Sequence, residues 1–201
     1  PRQLGGVRGG DGRSGVRGLS AGLTDAALAE AAAKLSSAPA AEVLAWVEAR
    51  FGDAAALASS FSVEDLVVVH LARTHAPRLK VFTLDTGRLP PETYEQMEVV
   101  RNRFGVTVEV FFPDAAAVEQ LSREKGLFSF RESLEARREC CALRKVAPLK
   151  RALAGRQAWL SGMRSGQAAT RGQVAVVERD AVHGGLVKVN PLAHWSEAQV
   201  W

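Results

Sequence analysis

A chain of 201 residues with 47% hydrophobic and 24% charged residues has the make-up of an ordinary globular protein and the length for one well-buried domain. No apolar run approaches the ~20 residues that span a bilayer, and the polar, Gly-rich start is unlike a secretory signal, so neither a membrane protein nor a secreted one is expected. The net charge of +4 is mostly local: Arg2, Arg8, Arg13 and Arg17 against Asp11 give +3 to residues 1–18 and leave +1 for residues 19–201, which argues against a broad nucleic-acid surface.

Residues 1–18 hold seven glycines without periodicity and are expected to be a disordered extension, with one domain over residues 19–201. Thr24-Asp25 predicts an N-cap for a helix running toward Leu35. A second helix follows with Leu44, Val47 and Phe51 on one face. Short apolar runs then alternate with helical ones. The pattern predicts a strand over 54–59, a helix over 64–74, a strand over 80–84, a helix over 91–104 with Pro91 in its first turn, and a strand over 106–111. Helices are expected over 115–125, 133–144 and 148–154, and a strand over 158–161. Residues 174–178 and 186–189 are expected to pair across a His183-Gly184-Gly185 turn. Trp195–Trp201 begins like a helix capped by Ser196 and stops within two turns, so a C-terminal cut is expected. Strand–helix alternation at this spacing predicts an α/β fold, a doubly wound and mostly parallel sheet. Ligands of such sheets bind at the carboxyl ends of the strands, so the loops there carry the chemistry.

The first such loop is Ser59-Ser60-Phe61-Ser62-Val63-Glu64-Asp65. Small hydroxyl residues ahead of a helix let N–H and O–H groups approach an anion. No Walker pattern is present, and taken alone the loop reads first as a capped helix start without a ligand. The second loop, Leu84-Asp85-Thr86-Gly87-Arg88-Leu89-Pro90, follows the neighbouring strand and reads by itself as a turn. Two such loops at adjacent strand ends favour a shared site. The third element, Arg137 to Arg151, sets Cys140 and Cys141 side by side among six basic residues and one Glu. Adjacent cysteines rarely form a disulfide, so the chain reads as cytoplasmic and reduced. Cationic neighbours favour the thiolate that binds metal, and they make two buried structural cysteines awkward. Zinc would call for Cys-x-x-Cys spacing and two more ligands. His70, His75, His183 and His194 are scattered and read as ordinary polar histidines. The fourth element, Trp159 to Arg171, places Arg164 and Arg171 after a strand, where guanidinium groups can grip phosphate or sulfate.

Together and in this order, these elements resemble the adenylyl-sulfate and phosphoadenylyl-sulfate reductase family. The resemblance spans residues 40–201 and rests on Ser60–Asp65, Leu84–Tyr94, Glu124–Phe130, Glu139–Leu149, Trp159–Arg171, Lys188–Leu192 and Trp195–Trp201. It implies an adenine nucleotide alpha hydrolase-like (Rossmann-like) fold. It implies substrate binding by Ser60, Phe61, Ser62, Leu84, Asp85, Thr86, Gly87, Lys145, Arg164, Gln167 and Arg171. It also implies a 4Fe–4S cluster for which Cys140 and Cys141 supply two of the four ligands, the others coming from a later Cys-x-x-Cys. Members with the cysteine pair take adenylyl sulfate, and members without it take the 3′-phosphorylated form. Lys145 is the family's link between cluster and substrate. In the implied reaction a further cysteine, expected beyond Trp201, attacks the sulfate sulfur and expels AMP. A thioredoxin- or glutaredoxin-like dithiol then releases sulfite, in the assimilation of sulfate toward cysteine. Neither nucleic acid nor a membrane is an expected partner, and the oligomeric state stays open, a homo-oligomer included. Ser165 stands where many relatives have a second Arg, and Ala168 where many have Ser. Three other readings remain: a phosphoadenylyl-sulfate reductase, an ATP-using adenylating or sulfur-transfer enzyme of the same fold, and a nucleotide-binding remnant without chemistry.

Overall fold

The computed structural model describes residues 23–167 and 173–201. The expected extension over 1–18 and the candidate ligand Arg171 lie outside those residues. Helix α1 (Asp25–Leu35) starts where Thr24 Oγ1 accepts from Ala27 N at 3.3 Å, as the sequence predicts. Helix α2 (Ala40–Arg50) turns Val43, Leu44 and Val47 into the core. The chain then runs through β1 (Ala55–Ala58), α3 (Val63–His75), β2 (Lys80–Leu84), α4 (Pro91–Phe104), β3 (Val108–Phe111), α5 (Ala115–Lys125), α6 (Leu134–Cys141), α7 (Ala147–Leu153), β4 (Ala158–Leu160), β5 (Val177–Asp180), β6 (Leu186–Val189) and α8 (Glu197–Val200).

The six strands form one sheet in the order β3-β2-β1-β4-β6-β5, parallel except for the antiparallel β5–β6 pair. Strand β1 is central, and the chain builds outward from it first through β2 and β3, then through β4 and β6. The order therefore reverses between β1 and β4. Alternation along each strand feeds two cores. Ala55, Leu57, Val81, Ala158 and Leu160 join Val43, Leu44, Val68 and Val69 on one face, while Ala56 and Phe82 pack with Ala152 and Leu153 of α7 on the other. Because both faces are covered, the central strands are near-continuously apolar.

Three differences from the sequence expectation have physical reasons. The hairpin strand expected over 174–178 lies at 177–180. Asp180 Oδ1 accepts from Val182 N and His183 N, and Gly185 N donates to Asp180 O, so the turn starts at Asp180. Strand β3 begins at Val108, two residues later than the apolar run suggests. The two helices expected over 133–144 and 148–154 form one helical run in which α6 passes into α7 through a wider π-turn at Ala142–Val146. Pro148 has no N–H to bond to Arg144 O, and the ladder changes register there.

Asn190 ties the far strands to the site side of the sheet. It is fully buried; its Oδ1 accepts from Ser161 Oγ at 2.7 Å and its Nδ2 donates to Ala175 O at 2.8 Å. Asn190→Ala leaves the buried Ser161 hydroxyl without its acceptor, while the carbonyl of the exposed Ala175 can turn to water, and is expected to cost about 1 kcal/mol. The denaturant midpoint should fall with an unchanged slope; an unchanged midpoint would mean water replaces both bonds.

Candidate functional site

The loop after β2 is fixed by its own aspartate. Asp85 is buried, its Oδ1 accepts from Gly87 N at 2.7 Å, and its Oδ2 accepts from Tyr94 Oη at 2.8 Å. That hydrogen bond to the carboxylate holds the Tyr94 phenol above its ordinary pKa. Gly87 has φ of 70°, which the Asx-type turn requires and a side chain would resist. Asp85 is thus a turn-builder, and Thr86 stands at the tip beside the cavity.

The loop after β1 is held by the first turn of α3. Asp65 accepts from Ser60 N at 2.6 Å, from Ser60 Oγ at 2.8 Å and, across the order reversal, from Gly162 N at 3.1 Å. Burial pushes its carboxyl up, against the pull of those donors. Buried Glu64 pairs at 2.8 Å with Arg164, a partly buried residue whose side chain is largely covered. Burial would raise the Glu64 carboxyl, but the bonds and charge of Arg164 prevail and hold it below its ordinary value. The carboxylates of α3 therefore tie the β1 and β4 loops together.

Two cavities open at this edge of the sheet. The first, of about 380 Å³, is walled by Ser59, Ser60, Leu84, Thr86, Arg88, Leu89, Thr93 and Lys145 with the ends of β1 and β2. The second, of about 410 Å³, holds Cys140 and Cys141 with Thr86, Arg88, Phe130, Arg137, Arg144 and Lys145. Thr86, Arg88 and Lys145 belong to both. No carboxylate lines the second, and four cations do, so it suits an anionic occupant. Both cysteines are free thiols. Among the described residues no third His, Cys, Asp or Glu joins them in a metal-sized group.

The sequence candidates distribute unevenly over these walls. Ser60, Leu84, Thr86 and Lys145 line the first cavity and the cysteine pair lines the second. Phe61 does not: its ring is buried in the core, and its backbone takes φ of 60° at the bend before α3. Ser62 is the residue before α3 and is absent from both walls. Arg164 spends Nε and Nη2 on Glu64 and Nη1 on Trp195 O at 3.4 Å, so here it braces the loop. Gln167 Oε1 accepts from Arg164 N at 3.0 Å. Sequence reasoning gives Arg137 and Arg144 a part only among the six cations around the cysteines, and singles out neither Arg88, Thr93 nor Asp65. Helical spacing carries a signal for two of them: Arg137 precedes Cys141 by four residues and Arg144 follows Cys140 by four.

Comparison with known proteins places this geometry. The phosphoadenosine phosphosulfate reductase domain matches residues 54–201. The adenosine 5′-phosphosulfate reductase of Allochromatium vinosum is 44% identical over 149 residues, covering 74% of this chain and 58% of that protein. The chloroplastic 5′-adenylylsulfate reductase 3 of Arabidopsis thaliana is 41% identical over 180 residues, 86% of this chain and 39% of that protein. The chain thus spans between about two fifths and three fifths of these relatives. A crystal structure of phosphoadenylyl-sulfate reductase from Candida auris superposes with a TM-score of 0.76 at 24% identity, over 90% of this chain and 85% of that one. That likeness establishes the adenine nucleotide alpha hydrolase-like fold. With the domain match covering most of its length and the hydroxyl, Leu-Asp-Thr-Gly and Cys-Cys elements meeting at one sheet edge, the chain belongs to the phosphoadenosine phosphosulfate reductase family.

Proposed function

We propose that this chain is the nucleotide-binding part of an adenylyl-sulfate reductase, converting adenylyl sulfate to sulfite and AMP in sulfate assimilation. The observation that carries the reading is the junction of the two cavities at Thr86, Arg88 and Lys145. The first cavity has the position of a nucleotide site, at the carboxyl ends of parallel strands. The second fits a thiolate-ligated 4Fe–4S cluster, since it sets two free thiols in a cationic, carboxylate-free wall. Cys140 and Cys141 would hold two of the four ligand positions, with the others supplied from outside the described residues. When bound, the cluster supplies charge and positioning beside the sulfate end of the substrate.

In the reaction, a cysteine thiolate from elsewhere in the complete polypeptide attacks the sulfate sulfur. A sulfur–sulfur bond forms, the sulfur–oxygen bond to the nucleotide breaks, and AMP leaves with the electron pair. A dithiol of the thioredoxin or glutaredoxin kind then attacks that cysteine, sulfite departs, and the dithiol ends as a disulfide. Two electrons pass from the dithiol to sulfur, so the balance closes. Lys145 and Arg88 line the junction of the two cavities, and in this reading the charge of Lys145, with Arg88 behind it, stabilises the departing anion. Two free neighbouring thiols suit a reducing compartment such as the cytoplasm, and no described helix is long and apolar enough to cross a membrane.

The deciding assay is thioredoxin-dependent sulfite release by the complete gene product. Release from adenylyl sulfate is expected; release only from the 3′-phosphorylated substrate, or ATP consumption instead, overturns the assignment. Lys145 is exposed and carries no fold contact of note, so Lys145→Ala should leave thermal stability unchanged. It is expected to lower turnover by roughly 10–100-fold, the loss of one charge-assisted contact. An unchanged turnover would remove its role.

A further inference from the structure

The turn at Thr86–Arg88 is gripped from two sides. Arg88 reaches away from it: its guanidinium stacks 4.4 Å from the Phe130 ring centroid, bonds to Leu127 O and lies 4.0 Å from Cys140 Sγ. Arg144 reaches into it from the cysteine side, and its Nη1 donates to Thr86 O at 2.7 Å. Gly87 is the residue that admits this approach, because a Cβ there would lie 3.3 Å from that same nitrogen. Arg144 is 7% exposed and lines the cysteine cavity, yet its Nε has no partner among the described residues. A buried guanidinium with an idle donor is not at the bottom of a satisfied network; it has room to respond to what fills the cavity beside it. It also sits in the π-turn that directly follows Cys141, the one place where the helical run has an alternative hydrogen-bond register.

We propose that Arg144 is a positioning residue that couples the two cavities. A change at the cysteine pair shifts the π-turn and its guanidinium, the guanidinium moves the Thr86 carbonyl, and the wall of the first cavity follows. Reciprocity requires the converse: a nucleotide that fixes the Thr86 turn holds Arg144 and so alters access to Cys140 and Cys141. The inference rests on reading the first cavity as a nucleotide site. It concerns a residue of the cysteine cavity whose guanidinium bonds to the Thr86 carbonyl, and it differs from the role given to Lys145, which lines both cavities directly.

The test uses the complete polypeptide with its iron removed, AMP as probe and a thiol-alkylating reagent whose labelling of Cys140 and Cys141 is read by mass spectrometry of their peptide. Saturating AMP is expected to change the labelling rate by at least about fivefold, the lower end of ordinary coupling between sites. In Arg144→Lys, which keeps charge but loses the fork that reaches Thr86 O, AMP should still bind, weakened by less than about tenfold, while labelling no longer responds to it. A wild-type labelling rate indifferent to bound AMP overturns the coupling, and that measurement needs no variant. A full AMP effect persisting in Arg144→Lys also overturns it, since direct shielding would then be the cause. Failure of AMP to bind at all instead sinks the nucleotide reading, and this inference with it.

Discussion

Cys140→Ser in the complete polypeptide is expected to remove nearly all bound iron and the brown colour that goes with it, while leaving the fold in place. Cys140 is 8% exposed, lines the cationic cavity and has the Arg88 guanidinium at hydrogen-bond range of its sulfur. Serine is nearly the same size, so little packing is lost. Its hydroxyl, however, is a harder and far more weakly acidic donor than a thiol, and a cluster held by four thiolates loses one quarter of its anchorage. Perturbing only the partners of a metal ligand costs about 10–100-fold in affinity or activity, so loss of a ligand itself should exceed that. Iron content per chain, measured alongside the thermal midpoint, separates the alternatives. A cysteine that merely packs would show wild-type iron and a slightly lower midpoint, and iron retained at the wild-type level removes the ligand assignment.

The features legible in the sequence are those with local causes. Helix α4 has its expected bounds because Pro91 sets its first turn and Gly105 ends it in the left-handed conformation. Strand β2 has its expected bounds because its Val-Phe-Thr-Leu stretch, rich in strand-forming residues, stops at an aspartate that builds the next turn. The cysteine pair draws attention by residue type alone, because its cationic neighbours favour thiolate, whereas the Leu-Asp-Thr-Gly loop reads by itself as a turn and points to a site only through the hydroxyl loop at the adjacent strand end. The site residues that escaped are those whose role depends on distance in space. The sequence sets Arg144 among six cations around the cysteines and Arg88 in the Leu84–Pro90 loop without giving either a contact, and only the fold brings Thr86 against the π-turn 58 residues on. Arg164 looked like a phosphate grip because guanidinium groups suit phosphate, but Glu64, 100 residues earlier, holds it in this structure. The shift of β5 came from Asp180 capping a turn through its side chain, a preference weaker in sequence than the Gly-Gly beside it.

The acids at the start of α3 give the prediction with the largest effect on stability. Asp65 is 5% exposed and is the acceptor for Ser60 N, Ser60 Oγ and Gly162 N. Asp65→Ala leaves the buried Gly162 N–H without an acceptor, at about 1–3 kcal/mol, and the part-buried Ser60 N–H, on an exposed residue that water reaches, at less, partly offset because a costly buried charge is also removed. A net loss of about 2 kcal/mol, or roughly 4–8 °C in Tm for a chain of this size, is expected. Nothing can fill the space from the other side: a Cβ on Gly162 would stand 2.6 Å from Asp65 Oδ1 and 2.9 Å from Asp65 N, so the two loops meet there only as glycine against aspartate. The pH dependence has a definite sign. Burial raises the Asp65 carboxyl above its ordinary 3.8, so the folded state takes up the proton first as pH falls. Its contribution is then fullest below 3.8 and declines as pH rises through the folded value. Glu64, held below its ordinary 4.5, slopes the opposite way and must be left intact in the comparison. The stability of the wild type relative to Asp65→Asn should therefore increase as pH is lowered from neutrality toward 4. A gap that is flat or narrows over that range would mean the carboxylate is ionised in place at no cost, and that its three donors outweigh its burial.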